Sequence, residues 1–302
     1  MFKSKNSMSR ALVRRETTAG YLFLLPSLFF FVTFVLYPMF LCIYTSFFDS
    51  NMGKNAVDVF VGLGNYKELF RDKLFLGALK NTVIIVLVAV PTVCAFSLWV
   101  ATAIYDMKPA LTSAFRCIFY LPVVTGSVAV TVVWKWMYNS RYGVFNDLFK
   151  SLGIIDQNIN WLGDARFALW CIILILFTTS VGQPIVLYVS ALGNVDHSLV
   201  EAAQVDGANR RQVFWKIKWA QIMPTTLYIL IITTINSFQC FALIQLLTSG
   251  GPTHSTDTIM YYIYYTAFKL YRYGYGNAMG VVLMIIIAVL SAVQFKLGQQ
   301  SD

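Results

Sequence analysis

Charge is scarce in this chain. Of its 302 residues only 12% are Asp, Glu, Lys or Arg, while 58% are apolar. A soluble domain needs about a quarter of its residues charged to cover its surface, so a water-soluble fold is excluded. Histidine is scarcer still. His197 and His254 are the two present, both in polar connecting segments, and neither has a neighbour suited to metal ligation or nucleophile activation. The five cysteines, Cys42, Cys94, Cys117, Cys171 and Cys240, each fall in a different apolar run. None has disulfide-framework or zinc spacing, and they read as small buried apolar side chains. No Gly-x-x-x-x-Gly-Lys-Ser/Thr loop exists to cradle nucleotide phosphates. We therefore expect no metal and no cofactor bound by this chain, and no nucleotide hydrolysis by it.

What is present is long apolar runs. Uncharged stretches cover 17–48, 81–105, 117–134, 167–195, 219–256 and 273–295. Each reaches the roughly 18 to 20 residues that cross about 30 Å of hydrocarbon. The expected fold is all-α, a polytopic membrane protein with six transmembrane helices at about 20–47, 80–104, 114–138, 166–192, 224–247 and 274–296. Residues 1–19 form a cytoplasmic segment, 20–297 the membrane domain with a polar loop at 194–223, and 298–302 a cytoplasmic tail. Lys3, Lys5, Arg10, Arg14 and Arg15 precede the first run, against Lys54 beyond it. Basic residues favour the inner side, so both termini are expected in the cytoplasm. The first run is too long for a signal peptide and lacks a small-x-small cleavage site. The net charge of +9 suits anionic lipid headgroups and implies no nucleic acid. Pro26, Pro38, Pro91, Pro122, Pro184 and Pro224 fall in or at the start of five spans. Lipid cannot satisfy the carbonyls they strand, so a kinked, tightly packed bundle follows.

The longest polar excursion of the second half, Ser198 to Pro224, carries Glu201, Asp206, Arg210, Arg211, Lys216 and Lys218. Ser198 and Glu201 have capping-box spacing, predicting a helix from about Leu199. Ala202 and Ala203 would let a partner surface approach the backbone. Gly207 permits a bend that a Cβ would obstruct, Asn209 is placed to cap a second helix, and Pro224 opens the next span. By pattern alone the stretch is equally a solvated connector. On the fifth span Thr233, Asn236, Ser237 and Cys240 recur at helical spacing as one polar stripe. That stripe suits either a solute or interhelical packing.

Glu201-Ala202-Ala203, three residues, Gly207, then Ile222-Met223-Pro224 resembles the EAA coupling signature of membrane subunits of bacterial ABC importers. Met223 stands where that pattern usually has Leu. Gly62-Leu63-Gly64-Asn65-Tyr66 resembles the GLxNY stretch that follows the first helix in sugar permeases. Phe241 to Thr248 with Gly250-Gly251-Pro252 is similar to the fifth-helix ending of maltose-type permeases. The resemblance implies the transmembrane-domain fold of a type I ABC importer, and a permease subunit in a bacterial cell membrane that takes up a sugar or oligosaccharide. Its implied partners are a second similar permease, two ATPase subunits that use ATP and Mg, and an extracytoplasmic solute-binding protein. Glu201 would anchor the coupling lever, with Ala202 and Ala203 on the cleft wall, Asp206 at its end, Gly207 at the turn and Pro224 closing the signature. Solute contacts carried over are Thr233, Asn236, Ser237 and Cys240, with Val181, Gly182 and Ile185 from the fourth helix. Gln183, Asn236 and Gln239 are the strongest hydrogen-bonding candidates. The competing reading is a stand-alone secondary carrier or channel for a small polar solute. It calls for an inverted repeat, or an intramembrane acid or histidine for a driving ion, and the span centres contain neither.

Overall fold

The computed structural model of the chain describes residues 3–50 and 58–299. Lys54, residues 300–302 of the tail, and the side chains of Lys3, Lys5, Arg10, Arg14 and Arg15 lie outside the described residues. The chain enters as α1 (Lys3–Phe31), which passes through a π-helical turn at Val32–Leu36 into α2 (Tyr37–Thr45). The widened turn immediately precedes Pro38, where the helix must do without a donor.

A two-stranded antiparallel ribbon follows, β1 (Phe48–Asp49) with β2 (Val59–Phe60), in the register Phe48 to Phe60 and Asp49 to Val59. It is the one sheet among the described residues, so the all-α expectation holds for everything that spans. Next is α3 (Gly64–Leu69), and here the Gly62–Tyr66 motif has a structural task. Gly62 adopts φ +56 to turn the chain. Buried Asn65 donates through Nδ2 to the carbonyls of Ser46 at 2.8 Å and Phe48 at 2.9 Å, and the Tyr66 and Ser46 hydroxyls bond at 2.6 Å. The motif thus clamps the end of the first crossing. Asn65→Leu strands both carbonyls, at about 1–3 kcal/mol. We expect it to lower the melting temperature of the purified protein by several degrees and to expose the chain around Val59–Phe60 to protease.

The axis of the bundle is α4 (Lys73–Ile104). Asp72 caps it, accepting from the Leu74 N–H at 2.8 Å. Burial pushes the Asp72 carboxyl up, but hydrogen bonds from the Tyr262 and Tyr275 hydroxyls, at 2.7 and 2.9 Å, prevail and hold it below the usual carboxylate range. Phe75, Ala78, Thr82, Ile85, Ala89, Val93, Ser97, Val100 and Ile104 are buried at helical spacing along α4, against partners on several sides.

The third crossing departs from expectation. Instead of one helix over 114–138 there are two, α5 (Pro109–Val124) and α6 (Ser127–Met137), bent by 94°. Pro122 removes the donor that would bond back to Ile118, and Thr125 and Gly126 are both extended between the helices. Counting this pair as one crossing gives six. The other five are Glu16–Thr45, Lys73–Ile104, Ala168–Gly193, Arg210–Leu247 and Tyr273–Gly298.

Between the third and fourth crossings lies α7 (Val144–Ser151). Buried Asn146 organises it: its Oδ1 accepts from the Ile159 N–H at 3.1 Å and from Trp161 Nε1 at 2.9 Å. The fourth crossing is α8 (Ala168–Ser180) and α9 (Gly182–Gly193), interrupted at Val181. Then come α10 (His197–Val205), α11 (Arg210–Val213), a second π-helical turn at Phe214–Lys218 and α12 (Trp219–Phe238). Pro224 therefore lies inside a helix and does not open the span; the carbonyl it strands belongs to Ala220, an exposed residue near the polar end. After α13 (Ala242–Leu247), α14 (Ile259–Tyr264) and a third π-helical turn at Tyr265–Lys269, α15 (Tyr273–Gln299) completes the bundle. It packs on α2 and α12, and Asn277 donates to Thr45 Oγ1 at 2.7 Å.

Candidate functional site

Two features stand together: an exposed polar helix at one end of the bundle and a polar pocket inside it. The helix is α10. Its cap is Asp196, not Ser198: Asp196 is extended, and its Oδ1 accepts from both the N–H and the hydroxyl of Ser198, at 2.8 and 2.7 Å. The Ser198 hydroxyl, foremost, and its N–H hold the exposed Asp196 carboxyl below the usual range. An acid one residue ahead of the helix takes the capping place from a hydroxyl inside it. Gly207 adopts φ +84 just after the helix, the left-handed region that a side chain disfavours. Asn209 then caps α11 as expected, in a reciprocal box with Gln212 at 2.9 and 2.8 Å.

Glu201, Ala202 and Asp206 are exposed and Ala203 half-buried. Leu199 and Val205 are bare at 51% and 89%. On its inner side α10 rests through Val200 on the cluster formed by Val93, Ile185, Leu192, Ile222 and their neighbours. It is tied to α12 as well, since Gln221 Oε1 accepts from the Asp196 N–H at 3.0 Å. Displacing α10 must therefore displace α9, which leads into it, and α12, to which it is bonded.

Those two helices line the pocket. It has a volume of about 140 Å³ between α5, α8, α9 and α12, and its polar wall is Thr179, Ser180, Gln183, Thr233, Asn236 and Tyr228. The close approach that shapes it occurs at Gly182, where a Cβ would lie 2.3 Å from the Phe119 carbonyl oxygen. Pro184 cannot donate back to Ser180, so the helix loses a rung where both residues line the pocket.

Of the residues singled out for solute contact, Gln183, Thr233 and Asn236 meet here. Gln239 and Cys240 line a second cavity of about 450 Å³ beside the α5–α6 bend. Val181 and Ile185 are buried in packing at 4% and 0%. Gly182 is consumed by the backbone contact, and Ser237 is 2% exposed and outside both walls. These four, carried over from the resemblance, lie outside the walls of both cavities, three of them at the α8–α9 junction and Ser237 on α12. Thr179, Ser180 and Tyr228 were missed. The run Thr178-Thr179-Ser180, three hydroxyls in succession within an apolar span, was the available signal.

Residues 59–299 match the profile of the family described as binding-protein-dependent transport system inner membrane component. The chain belongs to this family. Among its relatives, the probable ABC transporter permease protein YesP of Bacillus subtilis is 33% identical over 94% of this chain and 91% of its own. The lactose transport system permease protein LacF of Rhizobium radiobacter is 32% identical over 94% of this chain and 95% of its own. In fold the chain is similar to a crystal structure of a bacterial ABC transporter involved in import of the acidic polysaccharide alginate. The TM-score is 0.81 at 23% identity, over 97% of this chain and 99% of that one. This permease is a multi-pass membrane subunit of an ABC importer.

Proposed function

We propose that this permease forms half of a translocation pathway for a sugar or oligosaccharide, driven from outside the chain through α10. The observation that carries the reading is mechanical: one exposed helix bridges α9 and α12, the elements that bring Gln183, Thr233 and Asn236 to one pocket. ATP and Mg act in two separate ATPase subunits, whose cleft receives Glu201, Ala202 and Ala203 and covers Leu199 and Val205. A second, similar permease completes the pathway, and an extracytoplasmic solute-binding protein delivers the solute. Both termini and α10 lie in the cytoplasm, and the membrane is the bacterial cell membrane. Hydroxyl and amide groups with little charge suit the neutral, hydroxyl-rich surface of a sugar. Lactose transport by a relative with this length of shared sequence supports that class.

In this reading ATP binding closes the ATPases, α10 moves as a rigid body, and the pocket alternates its access. Co-purification tests the assembly: the tagged permease should bring down an ATPase and a second permease. Asn236→Leu removes an exposed amide from the pocket without opening a void. We expect it to raise the apparent KM for transported sugars about tenfold, roughly the loss of one or two hydrogen bonds, while the complex still assembles. Unaltered apparent affinity for every tested sugar would make the pocket structural.

A further inference from the structure

The start of α5 at Pro109 places a charge inside the third crossing. Arg116 lies seven residues on, about 10 Å along the helix axis. Ionisable residues at such depth are expensive and ordinarily have a partner or a task. Arg116 has no partner here: its Nε–H is buried without an acceptor, and among the described residues the side chain makes no hydrogen bond or ion pair. The half-buried side chain lines an open cavity of about 470 Å³ with Cys117, Tyr120, Gln183, Val186 and Leu187. No acidic side chain faces it. Gln183 and Leu187 also line the 140 Å³ pocket, so the two spaces meet across the first turns of α9.

The geometry points to an anion subsite on the solute path: Arg116 receives a carboxylate, sulfonate or phosphate borne by the transported sugar, while Gln183 and Tyr120 offer hydrogen bonds to its hydroxyls. This rests on reading the 140 Å³ pocket as part of the pathway. A planar guanidinium bonds such groups through paired N–H donors, and an anion there satisfies the buried Nε–H that the protein leaves unmet. Of the possible occupants, the continuity with the interior pocket favours a solute over a lipid headgroup, which would enter from the bilayer.

The test uses the assembled transporter in nanodiscs of phosphatidylcholine, without the solute-binding protein. The probes are glucose and glucuronate, which differ by a carboxylate in place of a hydroxymethyl group. Calorimetry should give glucuronate a dissociation constant at least about tenfold below that of glucose. Arg116→Gln should abolish the preference, and Arg116→Lys should keep part of it. Equal binding of the two probes to the unaltered complex overturns the proposal, which needs no variant to fold; such a result would follow if an acid of the second permease paired with Arg116. A preference surviving in Arg116→Gln overturns it too. So does loss of the preference in nanodiscs containing phosphatidylglycerol, which would make a lipid headgroup the occupant. The readout is independent of coupling: a Gly207→Pro complex should keep glucuronate binding, so failure of the α10 mechanism and failure of the subsite are separable.

Discussion

Replacing Gly207 by proline is expected to reduce ATP-driven uptake and solute-stimulated ATPase activity of the reconstituted transporter at least about tenfold, with the subunits still assembled. Gly207 sits at φ +84, whereas the proline ring locks φ near −65°. Its N–H, lost in proline, donates to the Gln204 carbonyl at 3.0 Å, and the neighbouring Ala208 N–H bonds Ala203 at 2.9 Å. The substitution therefore removes both the turn and the bonds that fix the end of α10, while leaving every spanning segment untouched. Gly207→Ala should fall between, since a left-handed alanine costs about 1–2 kcal/mol. Glu201→Lys, which reverses the exposed charge without altering the helix, should uncouple comparably. Uptake at the unaltered rate in both Gly207→Pro and Glu201→Lys would sink the assignment of α10 as the lever.

Gly182→Ala is expected to have the largest effect on stability, about 3 kcal/mol or more, seen as loss of folded permease and of recoverable complex. The added Cβ would sit 2.3 Å from the Phe119 carbonyl oxygen and 2.8 Å from Val123 Cγ2. The first is backbone and cannot rotate aside, so α5 must back away from α9 along their shared face. Gly77→Ala in α4 provides the contrast, because nothing lies within 4 Å of its Cβ. There alanine gains about 1 kcal/mol of helix propensity, and yield should be unchanged or improved. Equal thermal stability of the two variants in detergent would show that the α5–α9 contact yields easily.

The contrast between prolines explains how far the fold was legible. The apolar runs located the five candidate spans and the bent α5–α6 pair, because lipid demands length and admits little charge. They could not say which prolines break a helix. Pro91 and Pro224 lie within continuous helices, while Pro122 precedes a 94° bend and Pro184 follows an interruption. All four strand one carbonyl; what differs is the packing around it, which depends on residues distant in sequence. The same limit governed the site. Gln183, Thr233 and Asn236 announced themselves as polar groups in apolar spans, whereas the burial of Val181 and Ile185 against α4 could be seen only in three dimensions. Arg116 escaped notice for a simpler reason. Uncharged runs were counted from Cys117, one residue after it, so the charge was read as a border when the helix had begun at Pro109.

The first crossing has one further physical consequence. The 30-residue segment Glu16–Thr45 buries none of its most apolar window within the bundle, and its C-terminal end is gripped by Asn65, Tyr66 and Asn277. At 1.5 Å per residue it is about 45 Å long, half again the hydrocarbon thickness of about 30 Å. Gripped at its C-terminal end, it leans like a boom on its pivot, and the thickness of the surrounding lipid sets the angle.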